Sequence, residues 1–563
     1  MANPRTDKGA RKNPLLGQFP ISERVPASRT SYCRIVVFHY ERQNFKFASN
    51  VNPTESTTSV ILKTERIIIE EEVSSLRISK SLSNPSGIFD ATLFPTRNWK
   101  QIISPGDWVA IYLFSSMEVG KKSTSDLDTK NMVMLGNIDR VSRTIERNED
   151  DDKIESRYKL SGRNFGKAFE DINVWFDPYS IQDAVLDVSL RTAGLEIVGN
   201  PTEQVQQILD VFLGPGSNFP GKGSTSPLRQ FLIPTELSAL FGVSKFAVGS
   251  DRPLLYDILN INIEPDLPGF RTRNNISARD NGNLWENLVG ASNELINEMY
   301  LEEVRATDGT VSPTITLRPK PLNTPRFELQ FGDEKDAVIG TLNGKVTTLQ
   351  SLSKTSFIEI VQGEIISEDI GKDDHSRFNM YWLTSTRFEY YTRSIYADKR
   401  TNNSIGNPFV SQESIRRYGL KRFEKNLDFD RPGRSIKESQ SETELFKAFM
   451  VQLYDQNFAN HLYDGGTMET SGVLEAELGK TLNILPNAGL NAKSPVPPKK
   501  IYYIQAYEHE WNFPNTWRTT FTLTHGQYQD PPNIFIDVQP GDDGALDEEF
   551  DSTYIAKTET INK

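Results

Sequence analysis

From Tyr32 the pattern of apolar and polar positions along the chain becomes strand-like. Arg34-Ile35-Val36-Val37-Phe38 is β-branched and aromatic, as strands are. Ser59 to Val73 and Leu76 to Leu82 continue the pattern, Asn84-Pro85-Ser86-Gly87 reads as a turn, and Phe89 to Phe94 resumes a strand. Pro105-Gly106-Asp107 is a second turn, and Trp108 to Phe114 then reads as a buried strand. Met132 to Glu146 alternates through Val133, Leu135 and Asn137, then Ile138, Arg140 and Ser142. The acidic run Glu149-Asp150-Asp151-Asp152 suits a hairpin tip, after which Ile154 to Leu160 returns. Short strands and turns at this spacing predict a barrel or a sandwich.

The period changes in the middle of the chain. Ser180 to Arg191 and Glu203 to Leu213 read as helices, and a Gly/Pro-rich region with few periodic segments follows, up to Asp280. Leu284, Leu288, Ala291 and Leu295 share one helical face at a period of about 3.6. Strands are predicted again at Met299 to Val304, at Thr314 to Arg318 (stopped by Pro319 and Pro321), at Phe357 to Ile366 and at Phe378 to Thr384. Ser441 and Glu444 form a capping-box pattern that opens a helix with Leu445, Phe449 and Leu453 on one stripe. Trp517, Thr519, Phe521 and Leu523 alternate with Arg518, Thr520, Thr522 and Thr524, a half-buried strand on which Trp517, Phe521 and Leu523 are expected to face a core. No internal repeat at solenoid or propeller periods is present.

Composition narrows the function classes. At roughly 150 residues per domain, 563 residues carry about four domains. The formal net charge of −12 argues against a general duplex-DNA binder, which needs basic surface to displace counterions. One cysteine, Cys33, excludes an internal disulfide and a Cys-built metal site, and it sits in an apolar strand where an inert thiol is expected. Five scattered His residues leave little for a His-built centre. No apolar run approaches the roughly 20 residues that span a bilayer, so no membrane insertion is expected; nor does the N-terminus carry a signal-peptide core, so synthesis in a cytosol is the default. Residues 1–30 are polar and locally basic, with Arg5, Lys8, Arg11, Lys12, Arg24 and Arg29 against Asp7 and Glu23. They read as a flexible arm, either a disordered terminus or a strap on a neighbouring subunit. After Asp530 the chain is an acidic tail.

Motifs for chemistry fail on inspection. Gly216-Ser217-Asn218-Phe219-Pro220-Gly221-Lys222 resembles a phosphate-binding loop, but Gly223 stands where Ser or Thr must hold magnesium. Asp373-Asp374-His375 reads as a solvated turn. In the strand Glu508-His509-Glu510 the histidine points away from both carboxylates. There is no nucleophile elbow and no His-Glu-x-x-His helix. Trp108, Trp285, Trp511 and Trp517 read as core, without the aromatic–basic interleaving of a single-strand platform. The expectation is therefore no catalytic, cofactor-binding or metal residues and no cofactor.

Four sets of segments, taken in order, resemble the central baseplate hub proteins of contractile-tailed bacteriophages. The first is Ser104-Pro105-Gly106-Asp107-Trp108-Val109-Ala110-Ile111 with Leu135-Gly136-Asn137-Ile138-Asp139-Arg140-Val141 and Leu160-Ser161-Gly162-Arg163-Asn164. The second is Asn283-Leu284-Trp285-Glu286-Asn287-Leu288, Asn297-Glu298-Met299-Tyr300 and Leu317-Arg318-Pro319-Lys320-Pro321. Ile365-Ile366-Ser367-Glu368-Asp369-Ile370-Gly371, with Asp374 and Arg377-Phe378-Asn379, forms the third. The fourth joins Ser414-Ile415-Arg416-Arg417-Tyr418-Gly419 to Tyr502-Tyr503-Ile504 and the strand from Trp517 to Thr524. The resemblance spans about residues 100 to 527 and leaves out the arm, the region 200–280 and the tail.

The resemblance implies an α+β, β-rich fold: two tail-tube-like β-barrel domains with helical insertions and additional smaller domains. With the arm at 1–30 and the helical, loop-rich insertion at 176–300 read from the residues themselves, the first barrel is expected at 31–175. A second barrel at 301–400 is completed by about 500–530, with a connecting domain at 401–499 and the tail at 531–563. It also implies a structural role in the virion tail. A homotrimer would present six barrels, joining the sixfold tail tube (or a tube-initiator protein) to a threefold central spike protein. Its ring would lie among baseplate wedge proteins, around the channel for the tape-measure protein and then genomic DNA, which passes without sequence-specific binding. The acidic balance suits such a channel, and equally suits simple solubility. Two other readings stay open: a tail-associated cell-wall hydrolase, since 75 acids always supply pairs, and a carbohydrate-binding β protein.

Overall fold

The computed structural model describes residues 31–40, 64–114, 129–147, 154–172, 195–213, 233–243, 253–265, 267, 272–276, 282–322, 356–374, 377–385, 409–410, 412–427, 453, 456–457, 460–485, 500–514 and 516–528. The first part contains β1 (Tyr32–Tyr40), β2 (Thr64–Ile69), β3 (Val73–Ser81), β4 (Asn84–Leu93), α1 (Trp99–Ile102), β5 (Trp108–Phe114), β6 (Met132–Arg147), β7 (Ile154–Asn164) and α2 (Lys167–Asp171). The middle holds β8 (Leu195–Gly199), α3 (Pro201–Phe212), α4 (Thr235–Leu240), α5 (Leu255–Ile258), β9 (Asn260–Ile263), β10 (Thr272–Ile276), α6 (Leu284–Ser292), β11 (Asn297–Arg305) and β12 (Val311–Pro319). Then come β13 (Phe357–Val361), β14 (Ile365–Lys372), β15 (Met380–Ser385), β16 (Phe409–Val410), α7 (Gln412–Tyr418), β17 (Arg422–Leu427), β18 (Asp464–Ser471), β19 (Thr481–Leu485), β20 (Lys500–Asn512) and β21 (Thr516–Tyr528).

One 13-stranded sheet dominates, in the order β14-β18-β21-β20-β3-β4-β7-β6-β5-β1-β2, with β19 also on β20 and β13 on β19. Its two halves come from the two ends of the chain. They meet where β20 pairs antiparallel with β3, Ala506 opposite Ser81 through Asn512 opposite Ser75. The fold is thus β-rich α+β. The strands β11 and β12 stand outside this sheet, in a smaller one with β9, whereas β18 and β19 from residues 464–485 belong to it.

Alternation along each strand decides which core it feeds. In β1 and β5, Val36, Phe38, Trp108, Ala110 and Tyr112 join a core shared with α2, α3, α6, β11 and β12. Their neighbours Cys33, Ile35, Val37, Val109, Ile111 and Leu113 join a second core with Leu76, Ile78, Phe89, Ala91 and Leu160. A strand between two cores must be apolar throughout, which is why β5 reads as an unbroken apolar run and fills its expected span of Trp108–Phe114. A third core lies in the other half, around Ile358, Ile360, Met468, Leu482, Ile504, Phe521 and Leu523. Phe521 and Leu523 are buried and Trp517 packs partly against the second core, as expected of that strand.

The helices begin where side chains satisfy orphan backbone donors. Asn200 and Glu203 close a capping box on α3, with Pro201 at its first position, and Asn283 and Glu286 do the same for α6. Helix α6 buries Leu284, Leu288 and Ala291, but ends at Asn293, whose φ of 57° is left-handed. Leu295, expected on the same stripe, therefore lies beyond the helix.

Three further expectations shift. The turn expected at Asn84–Gly87 falls instead on Leu82 and Ser83, and Asn84 is already paired with Ser81. The run Ser59 to Val73 breaks at 70–72 between β2 and β3. The run Phe357 to Ile366 breaks at a 3₁₀ turn, Gln362–Glu364. The helix expected at 180–191, the start of the one opened by Ser441, the acidic tip at 149–152, the arm and the tail lie outside the described residues.

Candidate functional site

The most concentrated chemistry is a buried ladder of charges where β11 docks on the seam between the halves. Lys80 of β3 is 2% exposed. Its Nζ lies 2.9 Å from Glu302 Oε1, 2.5 Å from Glu303 Oε2 and 2.9 Å from the carbonyl of Val133. Each acid is also held by the backbone, Glu302 by the amide of Leu478 (3.0 Å) and Glu303 by that of Leu135 (2.8 Å). Tyr507 of β20 donates its hydroxyl to Glu302 Oε1 at 2.6 Å. The next rung pairs Glu298 with Arg318, 2.7 Å apart and opposite each other across β11 and β12. Tyr503 donates to Glu298, and Arg318 donates to the carbonyl of Gly479. Gly479 sits at φ 68°, and a Cβ there would stand 2.8 Å from Tyr300 Oη, so glycine alone allows this approach. Glu477 continues the ladder, accepting from the Arg305 amide at 3.0 Å and bridging Lys480 at 2.8 Å.

Burial and pairing set the protonation of these groups. Burial works to lower the Lys80 ammonium, but Glu302 and Glu303 outweigh it and hold it well above the usual lysine value. Burial, then the Glu302 and Glu298 charges respectively, push the Tyr507 and Tyr503 phenols well up. Glu303 is raised by burial and by Glu302, against the pull of Lys80. His509 is pushed down to about 3 by burial and by the Lys80 and Arg305 charges, so it is neutral, with Nδ1 3.0 Å from Thr519 Oγ1. A cavity of about 10 Å³ beside Glu303, Arg305, Glu477, Tyr507 and His509 has the room of one water. These acids are engaged by fixed donors, so the arrangement clamps three parts of the chain together.

The opposite face of the seam is polar. From β18 to β6 the register runs Ser471, Arg518, Glu510, Arg77, Asp90, Ser161, Arg140 in one cross-strand row. Neighbouring ion pairs fix it: Arg77 to Glu508 (2.6 and 2.8 Å), Arg518 to Glu469 (2.7 Å) and Lys159 to Asp90 (3.2 Å). The sign alternates, so the face carries no continuous strip of positive or negative charge.

Several residues that carry the hub resemblance do structural work. Asp107 of the Pro-Gly-Asp turn accepts from the Ser104 amide and lies 2.8 Å from His39 Nδ1. A Cβ on Gly136 would meet the Arg163 carbonyl at 2.1 Å, so the glycine lets β7 cross closely. Asp139 bridges Arg163 (2.9 Å) and Lys167 (2.7 Å); burial opposes this, but the two cations hold its carboxyl below the usual range. Asn283 caps α6, and Glu298 pairs Arg318 as above.

The rejected motifs are placed as follows. The Gly216–Lys222 loop and His375 lie outside the described residues; Asp374 bridges Arg377 at 2.9 Å. His509 is buried while Glu508 and Glu510 face the polar side. Cys33 is buried and free, its thiol pushed up by burial. Among the described residues no group of three His, Cys, Asp or Glu is placed to hold a metal. The ladder is not legible in the sequence because Lys80 and Glu302 are 222 positions apart; of its members, Glu298, Arg318 and Tyr503 fall within the resemblance.

No protein-family profile matches the chain, and no curated protein does. Solved structures similar to it include the tail protein from Neisseria meningitidis MC58, at 10% identity, covering 87% of this chain and 96% of that one, with a TM-score of 0.38. The prophage MuSo2 43 kDa tail protein from Shewanella oneidensis is similar at 10% identity, 87% and 98% coverage and a TM-score of 0.39. The E. coli c3393 protein, described as a type VI secretion component similar to T4 bacteriophage tail proteins gp27 and gp5, matches at 8% identity, 82% and 76% coverage and a TM-score of 0.31. Phage tail proteins are thus among the structural neighbours of this chain.

Proposed function

We propose that the chain is the central hub of a contractile phage tail baseplate, a non-catalytic trimeric adaptor between the sixfold tube and a threefold spike. One observation carries the reading: two strand-rich halves, each around its own core, are fused through β3 and β20 into a single sheet. Strands β3, β4, β7, β6, β5, β1 and β2 follow one another around the second core, and a three-residue link at 70–72 returns β2 to β3. Strands β13, β19, β20, β21, β18 and β14 follow one another around the third, and the Gln362–Glu364 turn returns β13 to β14. Two barrel-like units in one chain give six in a trimer, which is what a threefold-to-sixfold adaptor needs. The buried ladder fixes their relative orientation. The polar face that crosses the seam is the surface we assign to the channel. Its alternating charge offers a passing polyanion no strip to bind, and the tape-measure protein no apolar patch. Tube, spike and wedge proteins are the partners on this reading, and the virion tail is its location.

Negative-stain imaging of the purified chain at high concentration tests it. A threefold ring with a central hole is expected. Single compact particles, persisting when neighbouring tail proteins are co-expressed, would overturn it.

A further inference from the structure

Helix α7 and the start of β17 present a basic patch. Arg416 and Arg417 lie in the last turn of α7, and both are exposed, as is Arg422. Lys421 adds a cation whose Nζ donates to the Asp374 carbonyl at 2.7 Å. Two acids stand against these: Glu424, which bridges Arg422 at 2.9 Å, and Asp374, whose carboxylate is engaged by Arg377. Two apolar side chains lie among the cations, Tyr418 at 48% exposed and Leu420 at 63%. The Tyr418 ring is held in place. The buried Arg377 guanidinium sits 4.0 Å from its centroid, and His461 meets it edge-on, with ring centroids 5.3 Å apart. Exposed arginines around a fixed, half-open aromatic ring suit an acidic segment that carries an apolar side chain of its own.

The chain supplies such a segment itself. Residues 542–551 hold Asp542, Asp543, Asp547, Glu548, Glu549 and Asp551, together with Leu546 and Phe550, and no cation. The last strand also brings this segment close to the patch. His525 of β21 packs on Tyr463, with ring centroids 5.2 Å apart, and Tyr463 follows two residues after His461, the ring against Tyr418. Strand β21 ends three residues after His525, at Tyr528. From there the chain runs 14 residues to Asp542, a reach of up to about 46 Å when extended. That is enough to cover the two ring contacts and five residue steps between Tyr528 and Tyr418.

We propose that the acidic tail docks on the basic patch of its own chain, the carboxylates of residues 542–551 pairing with Arg416 and Arg417 and Phe550 seating against Tyr418 and Leu420. A tethered segment acts at an effective concentration of millimolar order, so a contact that is weak between separate molecules is filled within one. The docked tail covers the exposed ring and offsets the local positive charge, which closes the patch to other polyanions. The tail lies outside the resemblance to hub proteins, and the contact stands whether or not the hub reading does.

Fluorescence anisotropy with a labelled peptide of residues 540–553 tests it on the full chain. The peptide is expected to bind a variant whose own tail is neutral, D542N/D543N/D547N/E548Q/E549Q/D551N. It is expected to bind the unmodified chain about tenfold more weakly or worse, because the tethered tail already holds the patch. Adding R416E/R417E to the neutral-tail variant is expected to cost about tenfold or more, since like charges then meet. Equal binding to the unmodified and neutral-tail chains, binding to neither, or binding indifferent to R416E/R417E overturns the proposal. A short single-stranded DNA bound equally by the unmodified and neutral-tail chains, and lost with R416E/R417E, overturns it too, and gives the patch to nucleic acid instead. If an arginine variant fails to fold, judged by its melting transition, Arg416→Cys/Phe550→Cys decides with a short thiol cross-linker, Cys33 being buried. A cross-link within one chain, running at the monomer mass on a denaturing gel and read as a joined peptide pair, is expected. No cross-link, or one that joins two chains only, overturns the docking.

Discussion

Phe521 and Lys80 are both fully buried, for opposite reasons, and the consequences of removing them differ. Phe521 faces the third core with Met468 and Tyr507 as cross-strand partners. Phe521→Ala is expected to cost about 3–5 kcal/mol, read as a shift of the denaturation midpoint at unchanged slope. A loss below about 1 kcal/mol would contradict the burial. Phe521 was legible from the sequence, since four alternations in a row from Trp517 to Thr524 leave one face for the core. Lys80 was not. It sits at an ordinary position of a strand with polar neighbours, and nothing local marks it as buried between two acids from β11. Lys80→Met leaves the buried Glu302 and Glu303 without their cation, which costs about 3–5 kcal/mol. Adding Glu303→Gln to that variant is expected to return part of the loss, because it removes one of the two buried acids left without a cation. An unchanged midpoint in Lys80→Met would mean that the cluster is open to water.

At the scale of elements, strands were easier to read than their ends. β5 was read to the residue because a strand between two cores leaves no polar position to blur it. The turn before β4 was misplaced because Pro85, Ser86 and Gly87 imitate turn chemistry. The glycine serves another purpose: a Cβ on Gly87 would stand 2.8 Å from Lys80 Cγ, so it makes room for the buried lysine. Docking of β11 on β20 gives these elements a shared alkaline limit. The folded-state values of Lys80, Tyr503 and Tyr507 all lie above their ordinary ones. Groups raised on folding hold protons that the unfolded chain releases at about pH 10 to 10.4, so their contribution is fully present below that range. It is lost as pH rises through the folded values. Denaturation midpoints should therefore fall between pH 9 and 11, and Tyr507→Phe should flatten that fall. An equally steep fall in the phenylalanine variant would place the sensitivity elsewhere.

For the whole molecule, local pattern could say that two strand-rich stretches flank a helical middle, but not that they share one sheet. Pairing β3 with β20 joins residues some 430 positions apart, as in the Arg77 to Glu508 bridge, and no period in a sequence encodes such a distance. The same pairing makes the halves energetically dependent. Separating them would open an edge of β3 along seven residue pairs and expose the ladder of Lys80, Glu302 and Glu303, which belongs to neither half alone. Chains of this length usually melt domain by domain. Here the cost of exposing a buried ion cluster opposes independent unfolding, so a single cooperative calorimetric transition is expected for both halves, with calorimetric and van't Hoff enthalpies in agreement. Lys80→Met should uncouple them and split the transition in two, with the less stable half melting first. Two well-separated transitions in the unmodified chain would mean that the seam transmits no stability. The ladder would then be packing detail, and the orientation of the two halves, on which a ring of six depends, would have to be set by neighbouring subunits.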